Sequence, residues 1–310
     1  ADSSDLSLQL GNVRVHYLPG DEALAYEARS AVTHALERIE QELGIVLEEG
    51  VRVTLVRGQE AFLEACGGRM PEWAMAAALP AEMRIVVDAA LARPATADDL
   101  RLTLFHEAVH LALGAVERER PERLPLWFHE GVAQWLSDQS LLQADPAVFI
   151  VAAEHGDLIP LAELSEGFPS DPDRAQLAYA ESVSFVKYLV ETRSRAVIRW
   201  IIEAYETEPD FPTAFRNAVG RPLDEVEQDW IGRRKSRYPW VRTILRLLGL
   251  TGIMALATVA TFLIVKWRSR RQHRQWEFEE SWRLAAFKGE PVEDEEDEPD
   301  EPDEPWSTYE

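Results

Sequence analysis

The sequence predicts an α+β protein, with a small N-terminal sheet and a helical C-terminal part, followed by a single transmembrane helix. Three observations carry this reading. Runs with strand-like alternation end by Asp88, helical periodicity takes over from Ala97, and residues 247–265 contain no charge. With 310 residues, 46% of them hydrophobic, the chain is neither disordered overall nor a small disulfide scaffold. Its one cysteine, Cys66, excludes an internal disulfide and a thiolate zinc cluster.

Taken in order, Val13–Tyr17 (VRVHY) reads as a short strand, followed by a helical stretch from Glu22 that ends at Gly44. Val51–Val56 (VRVTLV) is a second strand, and residues 59–66 form a short helix before Gly67 and Gly68. Residues 73–79 and Arg84–Asp88 read as two more strands separated by Pro80. Two helices then matter most. The first has Thr96 as N-cap and Asp98 and Asp99 at its positive end, runs LRLTLFHEAVHLAL, and is expected to stop at Gly114. After a polar connection, RERPERL, the second begins near Pro125 and runs LWFHEGVAQWLSDQ.

Charge divides the chain further. Residues 1–232 hold 19 Lys/Arg against 40 Asp/Glu and read as one folded domain. Basic juxtamembrane segments at 233–246 and 266–289 flank the uncharged run LLGLTGIMALATVATFLIV. At about 1.5 Å per residue that run spans the roughly 30 Å hydrocarbon core of a lipid bilayer. Trp240 and Trp267 bracket it as interfacial anchors. Basic residues nearly tie across the span, so orientation is taken from the first residue. Ala1 in place of Met fits a mature chain whose signal peptide has been removed, with the large domain extracytoplasmic (periplasmic or extracellular) and the tail cytoplasmic. That tail, 290–310, carries 12 acidic residues and no basic ones; it is expected to be disordered, with docking to a basic protein partner as its sharper use. A net charge of −23 argues against nucleic acid as a partner.

His106-Glu107-Ala108-Val109-His110 forms an HExxH pattern on the first of the two helices. Spacing of four puts both imidazoles on one face, where they can share a zinc ion. Glu107, about 100° around the helix, can reach the remaining metal position and take a proton from water. Its setting among Leu102, Leu104, Phe105, Val109, Leu111 and Leu113 raises the signal above that of a bare motif. A catalytic zinc needs a third protein ligand. The position six residues after His110 is Val116, which excludes the metzincin arrangement. Glu130, on the second helix, is the choice for that ligand, and His129 beside it is the competitor. Gly131 would let the two helices approach closely, and Gln134, on the face of Glu130, is placed to hydrogen-bond a ligand imidazole.

HEAVH followed by LPLWFHEGVAQWL resembles the peptidase MA-like gluzincins, in which HExxH precedes a W-x-x-E-G-x-A helix carrying a glutamate ligand. YLPGD, AYAESVSFVKYL and VGRPLDEVEQDW extend the likeness over about residues 10–232. The resemblance implies a zincin-like fold with a cleft between a small sheet and the helices, Zn2+ as cofactor, and hydrolysis of a peptide or protein substrate. It also makes Tyr179, in AYAES, a candidate donor to the oxyanion formed at the scissile carbonyl. Strand 73–79, with Ala74, Ala76, Ala77 and Ala78, is where a substrate would lie as an added strand. The expected protein is thus a membrane-anchored zinc metallopeptidase holding its metal through His106, His110 and Glu130, with Glu107 as general base. The rival is a non-catalytic membrane adaptor that keeps the fold as a binding module and acts through its acidic tail.

Overall fold

Five strands among the described residues form one mixed sheet in the order β1-β2-β3-β5-β4. They are β1 (Leu6–Leu10), β2 (Val13–Tyr17), β3 (Val51–Val56), β4 (Ala76–Leu79) and β5 (Arg84–Asp88). The computed structural model describes residues 6–68, 74–138 and 146–237. Strands β2, β3 and β5 run parallel, with Val15 opposite Val53 and Val53 opposite Ile85. The connection from β2 to β3 is α1 (Glu22–Leu43), and α2 (Gln59–Ala65) follows β3. Alternation in β3 buries Val51, Val53 and Leu55 in the main core, against which α1 packs Ala28, Val32, Ala35 and Ile39. On a separate, smaller core Phe62 of α2 meets Ala74, Ala77 and Val86, with Cys66 packed beside them.

Three local expectations are corrected. The sheet begins with β1, which pairs with β2 through a turn at Gly11 and Asn12; its run LSLQL alternates apolar and polar residues as an edge strand does, a signal the expectation of a first strand at Val13 leaves out. The strand placed at 73–79 is the shorter β4, and position 73 lies outside the described residues. The helix carrying HExxH, α4 (Ala97–Glu117), does not stop at Gly114. Its start is as expected: Thr96 caps it, and Thr96 and Asp99 form a reciprocal capping box. A Cβ at Gly114 would lie only 2.4 Å from the Pro80 side chain. Glycine there marks a close approach within the helix, which brings the β4–β5 connection onto α4.

Between β5 and α4 lies α3 (Ala89–Ala92), and after α4 comes α5 (Leu126–Ser137). The elements that follow among the described residues are helices: α6 (Pro146–His155), α7 (Leu161–Glu166), α8 (Pro172–Thr192), α9 (Val197–Tyr205), α10 (Phe211–Val219) and α11 (Leu223–Arg237). Trp127 of α5 packs edge-to-face on Phe185 of α8 and Phe211 of α10, with centroids 5.2 and 5.8 Å apart. Gly131 permits a close approach, but to α8 rather than α4: a Cβ there would come within 2.5 Å of the Ser182 carbonyl oxygen. Helix α11 continues past residue 232 to Arg237. Among the described residues no helix is long and apolar enough to cross a membrane. The expected span at 247–265, its flank at 266–289 and the tail at 290–310 lie outside those residues.

Two carboxylates secure the start of α7. Glu181, wholly buried on α8, accepts from the Ile159 amide at 3.0 Å, and Glu227 of α11 accepts from the Leu161 amide at 2.8 Å. Burial pushes the Glu181 carboxyl from 4.5 up to about 8; Glu227 adds to the shift, while the Ile159 amide and Arg174 oppose it. An unfolded chain releases this proton near 4.5 and the folded chain holds it to about 8. The folded state therefore binds more protons in that interval, and stability falls as pH rises through it, by up to about 1.4 kcal/mol per pH unit. Glu181→Gln keeps the acceptor and removes the proton, so its loss of stability between pH 5 and 8 should be smaller than that of the wild type in urea melts. Parallel pH profiles would contradict this account.

Candidate metal centre

Helix α4 presents His106 and His110 one turn apart, their rings edge-to-face with centroids 4.7 Å apart and their Nε2 atoms separated by 3.0 Å. From α5, Glu130 reaches the same point: its carboxylate oxygens lie 3.4 Å from Nε2 of His106 and 3.7 Å from Nε2 of His110. One donor atom from each of the three lies within 4.8 Å of the others. Tetrahedral zinc with bonds of about 2.0–2.1 Å sets its donors roughly 3.3 Å apart. The donor chemistry, two imidazole nitrogens and a carboxylate, and the spacing both suit that ion.

Electrostatics follow from burial. It pushes His110 down to about 3, which keeps that ring neutral and its lone pair available. Burial also works against a charged His106, but the hydrogen bond and charge of Glu130 outweigh it and raise that ring above its usual value. Glu130 is held below the carboxylate range because the nearby His110 and His106 more than offset its own burial. Glu107 lines the same cleft and reaches the edge of the sheet. One of its oxygens accepts from the Ala78 amide of β4 at 2.8 Å, and burial lifts its carboxyl to about 7. The approach at Gly114 is what makes this contact available, since it seats Pro80 and the end of β4 on α4.

These groups open into a cleft of about 1260 Å³ whose lining also includes Met75 to Ala78, Ser165, Glu166 and Tyr179. Tyr179, in the second turn of α8, rests edge-to-face on Phe168 at 4.9 Å. Burial pushes its phenol up to about 12, with Glu130 and Glu107 contributing, so it keeps its proton. The cleft thus joins Tyr179 to His106, Glu107, His110 and Glu130.

Gln134 does not make the hydrogen bond expected of it. Both its amide atoms are buried without a partner, as is Nδ1 of His106. Helical spacing places Gln134 on the face of Glu130 but says nothing of depth, and it sits in the packed interior of α5. The imidazole that does contact a candidate ligand is His129, whose Nδ1 lies 3.4 Å from Nδ1 of His110. Its other nitrogen lies 2.9 Å from Glu117, a residue the sequence reading missed. A signal was there: Glu117 is seven residues after His110, on the same helical face, once α4 is allowed to run past Gly114.

Fold and cleft together define an α+β protein with a candidate metal centre of two imidazoles and a carboxylate. The chain belongs to the peptidase MA superfamily, whose profile matches residues 31–235. It is also similar to the uncharacterized protein YhcO of Bacillus subtilis (strain 168), at 29% identity over 128 residues. That match covers 40% of this chain and 37% of YhcO, so the chain spans well under two thirds of that relative.

Proposed function

We propose that the protein is a membrane-anchored zinc metallopeptidase that hydrolyses peptide bonds. The observation that carries this reading is the convergence of His106, His110 and Glu130 at one point of an open cleft that Glu107 and Tyr179 also line. His106, His110 and Glu130 would hold zinc, which when bound polarises a carbonyl and makes water a nucleophile near neutral pH. Glu107 has one oxygen engaged by Ala78 and the other free to take a proton from the attacking water and return it to the leaving amine. Tyr179, still protonated, donates its O–H to the oxyanion. Strand β4 lies at the open edge of the sheet and lines the cleft, so a peptide can add to it as a further strand. Attachment to a lipid bilayer rests on the uncharged run at 247–265, and the acidic tail is a docking segment for a basic protein partner.

Elemental analysis tests the centre directly. The wild type should carry close to one zinc per chain and His110→Ala almost none, and a peptide library should gain new N-termini only with the wild type. Equal zinc in the two proteins would remove His110 from the centre and the reading with it.

A further inference from the structure

Behind His110 stand two side chains that the hydrolytic reading leaves without a role. Helix α4 continues past His110 for two turns and places Glu117 on the same face. One oxygen of Glu117 accepts from the Leu124 amide at 2.6 Å and lies 2.9 Å from Nε2 of His129. Nδ1 of His129 lies 3.4 Å from Nδ1 of His110, the two rings tilted by only 20°. All three side chains are largely shielded from water, with 10% of Glu117, 14% of His129 and 18% of His110 exposed.

The protons in this row can be assigned from donor and acceptor chemistry. A carboxylate only accepts, so the His129 nitrogen facing Glu117 must carry hydrogen. In a neutral His129 ring Nδ1 is then bare and accepts, and His110 Nδ1 must donate to it. That leaves Nε2 of His110 with its lone pair directed at His106 and Glu130. His106 has no equivalent support, since its Nδ1 is buried without a partner.

We propose that Glu117 and His129 are positioning residues that lock His110 in the tautomer presenting its Nε2 lone pair to a metal ion, Glu117 acting only through His129. The proposal rests on the metal-centre reading above. It also explains why His129, next in sequence to Glu130, is not itself a donor: both its ring nitrogens are engaged elsewhere.

The test is zinc affinity of the full chain by chelator competition, with folding of each variant checked by circular dichroism. His129→Ala should weaken zinc binding roughly 10- to 100-fold. His129→Asn, whose side-chain oxygen can accept from Nδ1 of His110, should recover most of that loss. Glu117→Gln should weaken binding alone but add nothing in the His129→Ala background. Unchanged affinity in His129→Ala, or additive losses in the double variant, would overturn the proposal. So would zinc loss in His129→Asn as complete as in His110→Ala, because His129 would then be a ligand. If the wild type bound no zinc, the metal-centre reading would fall, and the pair would be judged by nitrogen NMR of the imidazoles. Hydrogen on Nε2 of His129 supports the lock, and hydrogen on Nδ1 overturns it.

Discussion

Glu107→Gln is expected to leave zinc in place and to lower peptide hydrolysis roughly 10²- to 10⁴-fold. Glutamine has nearly the shape of glutamate, and its amide oxygen can keep the Ala78 contact that ties α4 to β4. It cannot take a proton from water. The substitution therefore separates the base from the ligands: His110→Ala should lose both metal and activity, whereas Glu107→Gln should lose activity alone. Initial rates on a protein substrate, with metal content measured on the same preparations, decide the matter. Full activity in Glu107→Gln would hand the proton transfer to another group. Loss of zinc would instead count Glu107 among the ligands.

Gly131→Ala should destabilise the folded protein by about 3 kcal/mol, the upper end of the usual range for overpacking a core. Its Cβ would come within 2.5 Å of the Ser182 carbonyl oxygen and 2.7 Å of a Val186 methyl. The nearer atom is backbone, so relief requires moving α5 against α8 rather than turning a side chain. At an open helical position the same change would stabilise by about 1 kcal/mol through helix propensity. The sign of the effect is thus diagnostic. For a folded unit of this size the melting temperature should fall by roughly 6–12 °C. Because Glu130 is the preceding residue, the movement should also weaken zinc binding. A Gly131→Ala variant that melts with the wild type and binds zinc equally would show that the two helices are not held at this distance.

The sequence by itself determined what depends on residues a few positions apart. Alternation set β2, β3 and β5, Thr96 and Asp99 started α4, and a spacing of four put His106 and His110 on one face. It also showed the paired motifs by which membership of the peptidase MA superfamily was suspected, and the profile match establishes that family. Gly114 and Gly131 are visible as glycines, yet the sequence alone marks one as a helix end and gives the other α4 as its neighbour, whereas they admit Pro80 and α8. A glycine that ends a helix and one that admits a proline ring differ only in what lies across from them. Gln134 and His129 pose the same problem, since helical spacing fixes direction around the axis and not distance to another helix. Only the tertiary structure decided that Pro80 sits on α4, that Ala78 engages Glu107, and that Glu117 and His129 stand behind His110. Those contacts join residues far apart in the chain, and their distances are set by how whole helices and the sheet pack together, a property no local window of sequence contains.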